Sequence, residues 1–129
     1  MSRALVATRV VREQRAPGDV PLYRHPEWEE RFPWIIQGIT GRGDADAPFD
    51  LGLSGGQPVG AVLGRWRALR EATEMPIAVH ARQVHGATVL VHHTAGPSGL
   101  VIADDADAHV TRAEGMLLTV SVADCVPVY

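Results

Sequence analysis

One change of period constrains this chain most. Over residues 58–76 the apolar side chains Val59, Val62, Leu63, Trp66 and Leu69 recur at the spacing that lines one face of a helix. Arg65, Arg67, Arg70, Glu71 and Glu74 take mostly the other positions. Pro58 suits the first turn and Pro76 ends the pattern. Gly60 and Gly64 weaken it, each by about 1 kcal/mol against alanine. Beyond Pro76 the helical period stops. "IAVHARQVHG" (77–86), "ATVLVHH" (87–93) and "MLLTVSVAD" (116–124) are β-rich, and the turn cluster "TAGPSG" (94–99) follows the second. "CVPVY" extends the last strand past Asp124, with Pro127 at a strand end or bulge. A helix that buries one face, followed by strands, predicts a mixed α/β fold (α+β) built as a sheet-rich sandwich with flanking helices. Trp66 belongs to its core.

Upstream, "RALVATRVVR" (3–12) and "WIIQGIT" (34–40) read as strands. Residues 14–33 hold Pro17, Pro21 and Pro26 and read as irregular connection. "GRGDADAPFDLGLSGG" (41–56) reads as a long loop, a class that is often functional. Ser54 or Gln57 is the expected helix cap. No repeat or linker divides the chain. Its 129 residues fit one domain, which at this size would bury roughly two-thirds of its extended-chain surface.

Charge narrows the partners. Fifteen acids against twelve bases give a net charge of −3, without the dense basic face that nucleic acid requires. Every base is arginine. No stretch approaches the roughly 20 apolar residues of a membrane span, and the N-terminal "MSRALVATRVVREQ" has no signal-like apolar run. With one cysteine and no internal disulfide, the expected setting is cytoplasmic, away from nucleic acid and membrane.

That cysteine, Cys125, stands between Asp124 and an apolar run. Three roles are open to it: small core hydrophobe, nucleophile or metal ligand. The adjacent carboxylate argues for a sheet end facing a cleft. Among six histidines, His80 lies in an apolar strand as a hydrogen-bonded core residue, and His92 and His93 end a strand in solvent. His85, in "RQVHG", precedes Gly86, whose backbone permits a sharp turn, and Gln83 lies two residues back on the same strand face. "GITGRG" (38–43) is a glycine-rich turn whose amides and Arg42 could cradle phosphate, although the lysine and hydroxyl of a phosphate loop are absent.

Read together, "ARQVHGATV" (81–89), "DADAHVT" (105–111) and "LLTVSVADCVPV" (117–128) resemble the laccase-domain or multicopper polyphenol oxidase proteins, understood as zinc-dependent purine nucleoside phosphorylases. "QGITGR", "PFDLGLSGG" and the helix are similar to the family's N-terminal part, so the resemblance covers roughly residues 35–129. It implies that His85 and Cys125 bind a metal, zinc in preference to copper, and are the catalytic residues. Arg42 is the expected substrate-binding residue. Purine nucleoside and phosphate are the implied partners, for phosphorolysis of adenosine, inosine, guanosine or methylthioadenosine, with adenosine deamination alongside. The family's third ligand is a histidine in an HAGWRG-like segment well past the cysteine. Residues 1–129 are therefore expected to be the N-terminal part of a single domain, half of the family fold, with little activity alone and room for a partner chain that supplies the missing half. Asp50, Gly64-Arg65 and His109 depart from the family pattern and bear on substrate contacts. Rival readings are a copper-dependent phenol oxidase, a non-catalytic remnant that binds a partner, and a hydrolase with Cys125 as nucleophile and His85 as base.

Overall fold

The structure, a computed structural model, describes residues 9–129. Most of the strand expected over 3–12 lies outside the described residues, and 9–12 form no strand. The chain divides into two compact units, the first ending at Gly41 and the second running Arg42–Tyr129.

In the first unit, β1 (Gln14–Arg15), β2 (Leu22–Arg24) and β3 (Ile39–Thr40) form a small antiparallel sheet in that order. The expectation of irregular chain over 14–33 is corrected here. Pro26 opens a short helix, α1 (Pro26–Arg31), with Glu27 and Glu29 in the first turn and Arg31 in the last, as the helix dipole favours. A proline at the first helical position loses no hydrogen bond, so Pro26 marks a start rather than a break. The strand expected over 34–40 shrinks to Ile39–Thr40. Trp34 and Ile35 stay exposed, and the Ile35 amide turns back to the Phe32 carbonyl at 2.9 Å.

The second unit has the predicted helix-then-strands order. It comprises α2 (Val59–Ala72), β4 (Ile77–Ala81), β5 (Val89–His92), β6 (Gly99–Ala103), β7 (Ala108–Thr111) and β8 (Met116–Thr119). β6, β4 and β8 form a parallel sheet with β4 in the middle, and β5 pairs in parallel with β7. The fold class is thus mixed α/β, as expected. Residues 99–103, just past the turn cluster, supply one neighbour of the central strand.

Burial explains why β4 is central. Ile77, Ala78, Val79 and Ala81 are buried, the near-continuous apolar pattern of a strand covered on both faces. Val62, Trp66 and Leu69 of α2 are buried, whereas Val59 and Leu63 are exposed, so the helix buries a narrower stripe than its sequence pattern implies. The Trp66 indole also donates to the Leu51 carbonyl at 3.0 Å, which satisfies its one polar atom. Neither Ser54 nor Gln57 caps the helix; Pro58 occupies that position with no side-chain cap. Gln57 instead links Asp50 to Arg65, donating to the former and accepting from the latter, each at 2.5 Å. The helix ends before Pro76. Glu74 adopts φ 55°, the Met75 amide reaches the Arg70 carbonyl at 2.9 Å, and the Glu74 amide reaches that of Glu71 at 3.2 Å. This is a Schellman ending with glutamate where glycine is usual.

Candidate functional site

Parallel pairing decides where the three motifs stand. In register, Ala81 lies opposite Ala103 and His80 opposite Thr119, so β4, β6 and β8 all finish at one edge. Each motif segment begins where one of these strands stops: Arg82–Gly86 after β4, Asp104–Asp107 after β6, Val120–Cys125 after β8. The carboxyl edge of a parallel sheet is the usual place for a site, because the loops leaving adjacent strands are brought side by side there.

Polar braces join these loops. Arg82 forms a two-pronged ion pair with Asp105, its Nε donating to Oδ1 at 2.6 Å and an Nη to Oδ2 at 2.5 Å. That pairing holds the Asp105 carboxyl below its usual range and raises the arginine. Ala106, fully buried, plugs the next position inward and its amide donates to the Arg82 carbonyl at 3.2 Å. Asp107 then faces the other way along the first loop. It accepts from the amides of His85 at 2.9 Å, Gly86 at 2.8 Å and, more weakly, Val84 at 3.4 Å. These amides, that of Gly86 foremost, hold its carboxyl below the usual range.

The left-handed residue of this loop is His85, with φ 57°, and Gly86 is not among the residues of positive φ. The sequence assigned the sharp turn to Gly86; the histidine makes it. Left-handed backbone costs an ordinary residue roughly 1–2 kcal/mol, and charge-assisted hydrogen bonds to Asp107 offset that. Gln83 supplies a second brace. Its side-chain amide donates to the Ser121 carbonyl at 2.9 Å and accepts from the Ser121 amide at 2.5 Å, as a strand partner would. The expectation that Gln83 shares a strand face with His85 is replaced by this tie, because β4 stops at Ala81. Asp107, Asp105 and Arg82 received no role from the sequence. Their only signal was inclusion in the two quoted motifs, since the partners are more than 20 residues apart.

His85 and Cys125 are both exposed, beyond the ends of β4 and β8. The core-hydrophobe reading of Cys125 therefore falls. Imidazole nitrogen and thiolate sulfur fit zinc in kind. Among the described residues, however, no group of three or more His, Cys, Asp or Glu is placed to hold a metal ion. Arg42 is exposed, and among the described residues no hydrogen bond or ion pair joins it to the 82–86 loop or to Cys125. The turn after it closes as a small hairpin, with Gly43 opposite Pro48, the Asp44 and Ala47 backbones exchanging hydrogen bonds, and the Phe49 amide on the Arg42 carbonyl at 2.7 Å. Gly43 is required there, at φ 74°, since a Cβ would lie 2.7 Å from the Phe49 nitrogen.

Among the remaining histidines, His92 departs from its sequence reading and His93 is exposed as read. His80 is hydrogen-bonded as expected, but half-buried at the edge of the core. Thr119 Oγ1 donates to the Val79 carbonyl at 2.9 Å, so it accepts from His80 Nδ1 at 3.1 Å, and burial against Trp66 pushes this imidazole down. His92 is not simply solvated. It shares a 3.0 Å hydrogen bond with His109 across the β5–β7 pair, ring against ring at 22°. Burial first, then His92, lowers the His109 imidazole.

Residues 40–129 match the model of a family described as multi-copper polyphenol oxidoreductase laccase, a span close to that of the second unit. No curated protein and no solved structure matches the chain.

Proposed function

The chain belongs to the multi-copper polyphenol oxidoreductase laccase family, and from that premise we propose that it serves phosphorolysis of purine nucleosides. In that reaction a phosphate oxygen bonds to C1′ of the pentose as the C1′–N bond breaks. The purine leaves with the electron pair and takes up a proton. His85 and Cys125 are the site groups this chain contributes. The observation that supports the reading most is the Gln83–Ser121 tie, which binds the loop carrying His85 to the segment carrying Cys125 at one sheet edge. Zinc held by these two donors would supply Lewis-acid polarisation of phosphate or water. Two donors leave a tetrahedral centre short, so the reading requires a further donor beyond His85 and Cys125.

The same donors support adenosine deamination by an activated water as a side reaction. Arg42 is retained as the candidate phosphate contact on the ground of its charge alone. A reducing, cytoplasmic setting suits an exposed lone thiol, which an oxidising compartment would leave open to modification.

The test has two arms. Zinc added to the chain should slow alkylation of Cys125, and His85→Ala should remove that protection. With the further donor supplied, inosine or adenosine with phosphate should yield free base and pentose 1-phosphate by chromatography, and Cys125→Ala should abolish this. Base release without phosphate, or release that survives Cys125→Ala, overturns the reading. Several coppers per chain with oxidation of phenols would establish instead the chemistry in the family's description.

A further inference from the structure

Apolar burial does not hold the shape of the 82–86 loop, and its Arg82 and Gln83 braces leave the backbone at 84–86 untied. Arg82, Val84, His85 and Gly86 are all exposed, and no side chain between Ala81 and Val89 is buried. Yet His85 stands in a backbone conformation that side-chain-bearing residues rarely adopt. Three successive amides, Val84, His85 and Gly86, converge on one carboxylate, Asp107. That carboxylate is itself presented from a fixed place. Ala106 beside it is fully buried, the Asp107 amide donates to the Thr88 carbonyl at 3.2 Å, and β7 begins at the next residue. The backbone direction at His85 sets where its imidazole points, so whatever fixes that backbone aims the side chain.

We propose that Asp107 is a positioning residue of this site: its carboxylate gathers the Val84–Gly86 amides and thereby aims the His85 imidazole. The inference rests on the reading that His85 is a site group. It assigns Asp107 a task that a neutral side chain of the same size cannot perform. Asparagine offers one acceptor oxygen, and its NH2 would face a backbone N–H where Asp107 offers a second oxygen.

The test is amide hydrogen exchange, read by NMR on the full chain. In the unaltered protein the amides of Val84, His85 and Gly86 should exchange more slowly than that of exposed Ala87, although their loop is open to water; equal rates overturn the proposal without any variant. In Asp107→Asn, exchange at 84–86 should rise about tenfold or more while the amides of β4 keep their protection. Asp105→Asn, which breaks the neighbouring ion pair, should leave 84–86 unchanged. Zinc protection of Cys125 should also weaken by about tenfold or more in Asp107→Asn, the scale expected when a ligand's outer support is lost. Unchanged exchange at 84–86 overturns the proposal, and so does loss of protection across β4, which would make Asp107 a general structural brace. If zinc fails to protect Cys125 in the unaltered chain, the functional reading falls, and the exchange result still decides whether Asp107 holds the loop.

Discussion

Two regions of the second unit stand side by side and are held by different forces. The interior, where α2 lies against β4, consists of Val62, Trp66, Leu69, Ile77, Val79 and two alanines, all buried. The carboxyl edge, where β4, β6 and β8 end, has Ala106 as its buried anchor and is otherwise fastened by Arg82–Asp105, Asp107 to three amides, and Gln83 to Ser121. Apolar burial is non-directional and sets how firmly the unit folds. Hydrogen bonds contribute less each but have direction. The difference teaches that this edge is built to place groups, and that its disruption should change loop geometry more than global stability.

Four measurements sharpen or break that contrast. Trp66→Ala in the interior should cost about 3–5 kcal/mol in urea unfolding, the usual range for a buried aromatic; a loss below about 1 kcal/mol would erase the distinction between the regions. Gln83→Ala at the edge should cost about 1 kcal/mol, the scale of a net hydrogen bond, and should raise exchange at the amides of 120–125 without touching β4. A Gln83→Ala loss as large as that of Trp66→Ala would show that the edge carries the fold. Glu74→Gly removes the left-handed strain at the end of α2 and should stabilise by up to about 1 kcal/mol, seen as a higher urea midpoint with unchanged slope. A lower midpoint would mean that the Glu74 side chain outweighs its strain.

The smallest effect is expected from pH. His80 and His109 both have imidazoles pushed below the ordinary 6.5, chiefly by burial. The unfolded chain therefore binds more protons than the fold in this range. Stability should be full above about pH 6.5, fall as the pH drops through the folded imidazoles, and fall again in stronger acid as Asp105 and Asp107, held below the ordinary carboxylate range, take up protons. His80→Gln should remove part of that slope. A profile that rises on acidification would reverse the assignment of these histidines as half-buried imidazoles held neutral.

The helix over Val59–Ala72 was legible because its apolar residues repeat locally, and Trp66 was legible as core for the same reason. Val59 and Leu63 share that repeat but remain exposed, since a period reports a face and cannot report how wide a partner covers it. The strand at Gly99–Ala103 was hidden between a turn cluster and a run of acids. Pro26 reads locally as loop punctuation and instead starts α1. At the site, residue type marked out His85 and Cys125, and motif likeness tied them to a family. Asp107 and Gln83 carry no local signal, because they act on partners 22 and 38 residues away.

By itself the amino-acid order determined the mixed α/β class, the helix ahead of the sheet, and the motifs that place residues 40–129 in their family. Tertiary structure alone decided that three strands run parallel and end together, that a histidine bears the left-handed turn beside Gly86, and that Cys125 lies open to solvent. The physical reason is range. Periodicity and turn chemistry act over a few neighbouring residues, whereas a carboxylate finds its amides, and a glutamine its serine backbone, only after distant strands have come into register.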